Sequence, residues 1–255
     1  MLVPCPETVP IPAGSIVLRD ARTSSVRHVE LRGFSVAPVP VTWDLYAAVS
    51  EERVPVGCRG DAPATCVSWI EAVTWCDAAS RAFGLQPAYT IDGMTVGWDV
   101  AADGFRLPTE AEWEWACRAG TDGPRYGPLA DVAWTGADDV EDAQPVGLKQ
   151  PNGLGLFDML GNVWEWCWDY ADTARYADYR TLRGGGWADQ HWSVRASVRR
   201  GSMPGARLDD VGFRLARGAV GDPGARAAQG WSHQHDRERA DITGPVPFGW
   251  TPLRG

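Results

Sequence analysis

The stretch NGLGLFDMLGNVWEWCW, Asn152 to Trp168, has neither the 3.6-residue recurrence of a helix nor a clean two-residue alternation. Gly161 frees the backbone to turn, Asn162 tolerates left-handed geometry, and Glu165 brings one carboxylate among backbone carbonyls. Tryptophans at 164, 166 and 168 set large rigid indoles beside this turn, each with one N–H that needs an acceptor. Irregular backbone pinned by aromatic anchors follows. Glu165 admits two roles here: ligand of a hard cation together with carbonyl oxygens, or a cap or arginine partner.

The rest of the chain agrees with a loop-rich fold. The 255 residues include 29 Gly, 19 Pro and 14 Trp, and from Thr121 onward almost no periodicity survives. Short strands are expected within Val9 to Leu18, Val26 to Val36, Arg180 to Arg183, Trp192 to Val198 and Gly212 to Ala216. Thr42 opens a short helix through Val49. Ser68 with Glu71, and Thr109 with Glu112, form capping boxes that start two further helices, ending near Gly84 and Gly120.

Charge and targeting narrow the partners. A net charge of −9, with no Lys/Arg cluster to offset it, argues against nucleic acid. No apolar run reaches the ~18 residues of a membrane span. The start, MLVPCPETVPIPAG, lacks the basic and apolar regions of a signal peptide, so a cytoplasmic protein with reduced thiols is expected. Cysteines stand at 5, 58, 66, 76, 117 and 167 without metal-type spacing, and only Cys58 and Cys66, eight apart in one loop, are placed to bridge locally.

Four segments together resemble the sulfatase-modifying-factor family, whose best-known members are the formylglycine-generating enzymes. They are GFRLPTEAEWEWACRAG (104–120), NGLGLFDMLGNVWEWCW (152–168), RGGGW (183–187) and VGFR (211–214), in the family's order and spacing. VPIPAG (9–14), PVTWDLYAAV (40–49) and VSWIEAVTWC (67–76) resemble further landmarks, so the likeness covers roughly residues 8 to 218. The resemblance implies an α+β, C-type-lectin-like fold with little regular secondary structure. It also implies structural Ca²⁺ held by the carbonyls of Leu160, Gly161 and Val163 with Glu165. The family's second calcium loop corresponds to Asp131 to Gln144, where Asp131, Asp138, Asp139, Glu141 and Asp142 read first as a solvated acidic run.

The chain departs from the enzymes at their reactive centre. Those enzymes hold copper on two cysteines shortly after the RGGS motif, whereas residues 186–201 here contain none and Gly186 replaces the serine. Soft Cu(I) needs thiolates, which Asp189 and His191 do not supply. Cys76 and Cys117 match cysteines that are bridged in some relatives, but the partner positions carry Leu215 and Ala196, so both thiols should be buried and inert.

Two functions remain open. In the first, the chain is a module that keeps the calcium-stabilised scaffold and cleft, with Trp187, Asp189 and His191 as cleft candidates, and binds a small molecule or peptide without formylglycine-generating activity. The alternative is an oxidoreductase or tailoring enzyme of non-heme iron type, with His191, His233, His235 and Asp236 as possible ligands. The expected organisation is a domain over 1–218, a flexible linker over 219–229, and a tail over 230–255. Trp231, Phe248 and Trp250 suggest that the tail docks on the domain or on a protein partner.

Overall fold

The computed structural model describes residues 5–20, 25–173 and 178–240. Along the chain run β1 (Val9–Ile11), β2 (Gly14–Asp20), β3 (Ser25–Leu31), β4 (Phe34–Val36), α1 (Trp43–Ser50) and α2 (Trp69–Ala82). Next come β5 (Tyr89–Asp92), β6 (Thr95–Trp98), β7 (Phe105–Arg106), α3 (Glu110–Arg118), α4 (Leu129–Val132), β8 (Trp164–Tyr170) and β9 (Arg180–Arg183). The described chain closes with β10 (Arg199–Ser202), β11 (Val211–Phe213), β12 (Ala216–Arg217), β13 (Ala227–Ala228), β14 (Trp231–Ser232) and α5 (His233–Ala240).

The helices begin where their caps place them. The Thr42 hydroxyl accepts from Leu45 N, and both capping boxes are complete, Ser68 with Glu71 and Thr109 with Glu112. Gly84 takes a positive φ after α2, whereas Ala119 itself turns left-handed at the end of α3. One sheet runs β1-β4-β12-β7 and a second runs β10-β9-β8-β11, with β8 and β11 parallel; the remaining strands form the hairpins β2-β3, β5-β6 and β13-β14.

The core lies between these layers, and the indoles do the pinning. Trp69 donates to the Cys167 carbonyl at 2.9 Å, Trp166 donates to the Val67 carbonyl at 2.9 Å, and Trp75 donates to Tyr46 O at 3.0 Å. Each bond ties segments far apart in sequence while satisfying a buried donor. Cys76 and Cys117 are fully buried and free, Leu215 and Ala196 are buried as well, and burial pushes both thiols up, which keeps them protonated and inert.

Three expectations need correction. Residues 192–198 form turns, because Ser193 N bonds Gln190 O, Val198 N bonds Arg195 O and Arg125 occupies the carbonyls of His191 and Val194, so no ladder is made. β8 was not expected, since residues 164–169 are buried on both faces and carry no alternation. The segment 219–229 is not a free linker. Val220 N bonds Val100 O, and Gln229, 4% exposed, donates to Glu112 and to Arg32 O while its own carbonyl accepts from Thr109. Trp231 continues this packing against Trp98 and Trp168. Docking expected for Phe248 and Trp250 lies outside the described residues.

Candidate functional site

The turn at 158–163 is the foundation of the site. Asp158, Gly161 and Asn162 all have positive φ, near 53°, 71° and 59°. At Gly161 a Cβ would stand 2.1 Å from the Trp134 carbonyl oxygen, so the position demands glycine. Asn162 then locks three segments together: its N–H donates to Trp134 O, its side chain exchanges bonds with the backbone of Gln144, and its carbonyl accepts from Trp187 N at 2.7 Å. The glycine run after β9 is thereby seated on this turn.

Gly186 is the point where the candidate site converges. A Cβ there would lie 3.2 Å from Asp210 Cβ, 3.3 Å from Trp164 Cδ1 and 3.5 Å from Asp189 Oδ2. Asp189 Oδ2 accepts from Trp164 Nε1 at 2.6 Å and from Gly186 N at 2.8 Å, which closes the 186–189 loop on the buried Trp164 ring. Asp210 pairs with Arg200 at 3.2 Å, and the Arg200 guanidinium lies 5.7 Å from the Trp164 ring centre. Burial raises the Asp210 pKa, assisted by the neighbouring charges of Asp189 and Asp209.

Of the cleft candidates, Trp187 and Asp189 belong to this constellation. Trp187 is half-buried, and its indole N–H, like that of Trp134, is buried without an acceptor. His191 sits on the exposed turn that follows, where Arg125 grips its carbonyl. Sequence reading missed Trp164, Arg200 and Asp210 as site residues; the one available signal was that Asp210 directly precedes VGFR.

The expected ligand set for calcium meets an obstacle at Glu165. This carboxylate is fully buried; Oε1 accepts from Arg214 Nη2 at 2.8 Å and Nε at 3.2 Å, while Oε2 accepts from Trp113 Nε1 at 2.7 Å and Arg214 Nε at 3.1 Å. Every acceptor position is taken and the charge is neutralised, so Glu165 as placed does not fit a calcium ion, and of its two roles the arginine pair is realised. Among the described residues, the carboxylate oxygen left buried without a partner is Asp158 Oδ1, at the start of the same turn. Burial raises the pKa of Asp158, and the Glu165 charge adds to the rise. Among the described residues no three His, Cys, Asp or Glu side chains assemble as a metal-holding group. The iron set drawn from His191, His233, His235 and Asp236 is therefore not assembled: Asp236 instead accepts from Trp231 Nε1 at 2.7 Å.

Comparison with known proteins adds the following. The profile of the sulfatase-modifying factor enzyme 1-like domain matches residues 2–219. The chain is 31% identical over 233 residues to "Chaperone protein LppX" of Paenibacillus barcinonensis, covering 76% of this chain and 83% of that one. It is 34% identical over 189 residues to "Inactive C-alpha-formylglycine-generating enzyme 2" of Bos taurus, covering 61% of this chain and 62% of the bovine protein. Among solved structures, "Treponema denticola variable protein 1" superposes with a TM-score of 0.75 at 30% identity, over 82% of this chain and 94% of that one.

Proposed function

Because the chain belongs to the sulfatase-modifying-factor family and has its C-type-lectin-like α+β fold, we propose that it is a ligand- or peptide-binding module that does not convert cysteine to formylglycine. The observation that carries this reading is the 186–201 loop. It holds no thiol, and Asp189 spends an oxygen on Trp164 and Gly186 to fix the loop rather than on a metal. Copper has no soft ligand here.

What remains suits recognition. Trp192 is 62% exposed and Trp187 is half-buried, so the loop after β9 offers aromatic surface to a ligand. The names of the two relatives, a chaperone and an inactive enzyme, agree with binding in place of chemistry. Calcium enters this reading only at the 158–163 turn, where Asp158 Oδ1 has no partner while Oδ2 accepts from Gly147 N at 2.7 Å. All six cysteines are free, which favours a cytoplasmic, reducing setting. No described helix is long and apolar enough to cross a membrane.

Incubation of a sulfatase-type cysteine peptide with the protein, copper and oxygen, followed by mass spectrometry, tests the reading. The peptide should be recovered unchanged. Appearance of the aldehyde product would overturn it.

A further inference from the structure

We propose that Lys149 is the built-in cation of the 129–150 loop, that its ammonium takes the place a metal ion would need there, and that through this contact it positions the 186–189 loop of the candidate site. Lys149 is the chain's only lysine; every other Lys/Arg position carries arginine. Its ammonium donates to the Ala130 carbonyl at 2.7 Å and to Asp138 Oδ1 at 2.9 Å, and it lies 4.1 Å from the centre of the Trp134 ring. Two oxygens and one aromatic face thus engage all three N–H donors. The side chains of Lys149 and Asp138 are only 13% and 19% exposed, so solvent and salt screen the pair less than a surface ion pair.

The cage is prepared for an ammonium and not for calcium. Thr135 presets Asp138, its N–H and hydroxyl donating to Oδ2 at 2.9 and 3.2 Å. Burial opposes the charge on Asp138, but the Lys149 bond first, and then the Thr135 N–H, hold its carboxyl below the ordinary value. The other acids of the run, Asp131, Asp139, Glu141 and Asp142, are exposed. One carboxylate, one carbonyl and a ring face do not fit calcium, which takes about six to eight oxygens. A compact ammonium suits this space where a planar guanidinium does not. The loop that the family resemblance aligns with a second calcium site is therefore closed by a side chain.

This contact brackets Gly136. Trp134 and Asp138 stand two residues to either side of it, Gly136 N donates to Asp189 O at 2.9 Å, and a Cβ at Gly136 would lie 2.9 Å from Ala188 O. Beside Lys149, Gln150 N bonds Asp131 O at 2.8 Å, which straps the end of the loop to its beginning. Loss of the ammonium leaves Asp138 with an uncompensated charge and loosens the segment against which Ala188 and Asp189 rest. Lys149 is a positioning residue and not a ligand contact. Only the assignment of residues 186–189 to a binding site rests on the proposed function.

Hydrogen exchange read by mass spectrometry on the full chain tests the inference. In Lys149→Ala, peptides spanning 130–138 and 186–192 should exchange about tenfold faster or more, while α2 keeps the parent's rate. Propylammonium, which matches the atoms removed, should restore both segments; potassium at equal ionic strength should not, and calcium should add no more protection than it adds to the parent. Lys149→Arg keeps the charge and should fold like the parent, yet both segments should still exchange faster. Unchanged exchange at 186–192 in Lys149→Ala, full protection in Lys149→Arg, or rescue by calcium instead of propylammonium would overturn the proposal. If Lys149→Ala does not fold, the Lys149→Arg comparison decides. The cysteine-peptide assay is independent of these outcomes, so failure here leaves the binding reading standing.

Discussion

Glu165 and Arg214 are both fully buried, so each is held in the interior only by the other and by the indole and carbonyls around them. Glu165→Gln strips the carboxylate from a buried guanidinium and should cost about 3–5 kcal/mol. Thermal melts with calcium and with chelator should show the same loss, because the pair and not an ion is what the carboxylate serves. Asp158→Asn separates the questions: any calcium-dependent rise in melting temperature should vanish with it, while stability in chelator should hold or improve as a raised-pKa carboxylate is removed. A third acid sets a pH response. Burial, with the charges of Glu110 and Asp236, raises Asp169 to about 7, although Glu110 N–H donates to it at 2.7 Å and Arg27 opposes the rise. Between its unfolded pKa of about 4 and this value the native state holds a proton that the unfolded chain releases, so stability falls as pH rises, by up to about 1.4 kcal/mol per unit. Denaturant titrations across that window should show the decline in the parent and a flatter profile in Asp169→Asn. From sequence, Glu165 was identified as the decisive carboxylate, but its partner lies 49 residues away, and no local pattern chooses between an ion and an arginine.

At the level of elements, local signals were legible wherever the structure is local. Capping boxes marked α2 and α3 because the side chains that start them bond backbone three residues on. The second sheet was less legible. β8 is paired by β9 on one edge and, in parallel, by β11 on the other, so all but its last residue are buried and alternation disappears. The converse happens at 192–198, where alternating residues satisfy their backbone through turns and Arg125. The turn feeding β8 was read correctly from Gly161 and Asn162, and it should be intolerant of side chains. Gly161→Ala places a Cβ against Trp134 at a left-handed φ, and should destabilise by about 2 kcal/mol or more in chemical denaturation. Because Asn162 carries Trp187, the variant should also loosen the candidate site, seen as altered Trp fluorescence before global unfolding.

Across the whole molecule, the family match ends at residue 219, yet the packed structure does not. Gln229 fills the space between Glu112, Thr109 and Arg32, and Trp231 completes the cluster of Trp98 and Trp168. Truncation after Gly218 should therefore lower the melting temperature and bare these groups to solvent, and a truncated protein as stable as the parent would contradict the packing described. Sequence composition suggested a linker because glycine and alanine dominate 218–230, but one buried amide and one indole outweigh their neighbours. The order of strands in the first sheet has a temporal meaning as well. β12 lies between β4 and β7, pairing Ala216 with both Val36 and Arg106. A ribosome thus releases two facing, unpaired strand edges long before it makes the strand that joins them, so closure is late, non-local and slow. Arrested nascent chains should stay protease-sensitive until β12 and Trp231 have left the exit tunnel, which makes the last strands of the domain the timer of its maturation.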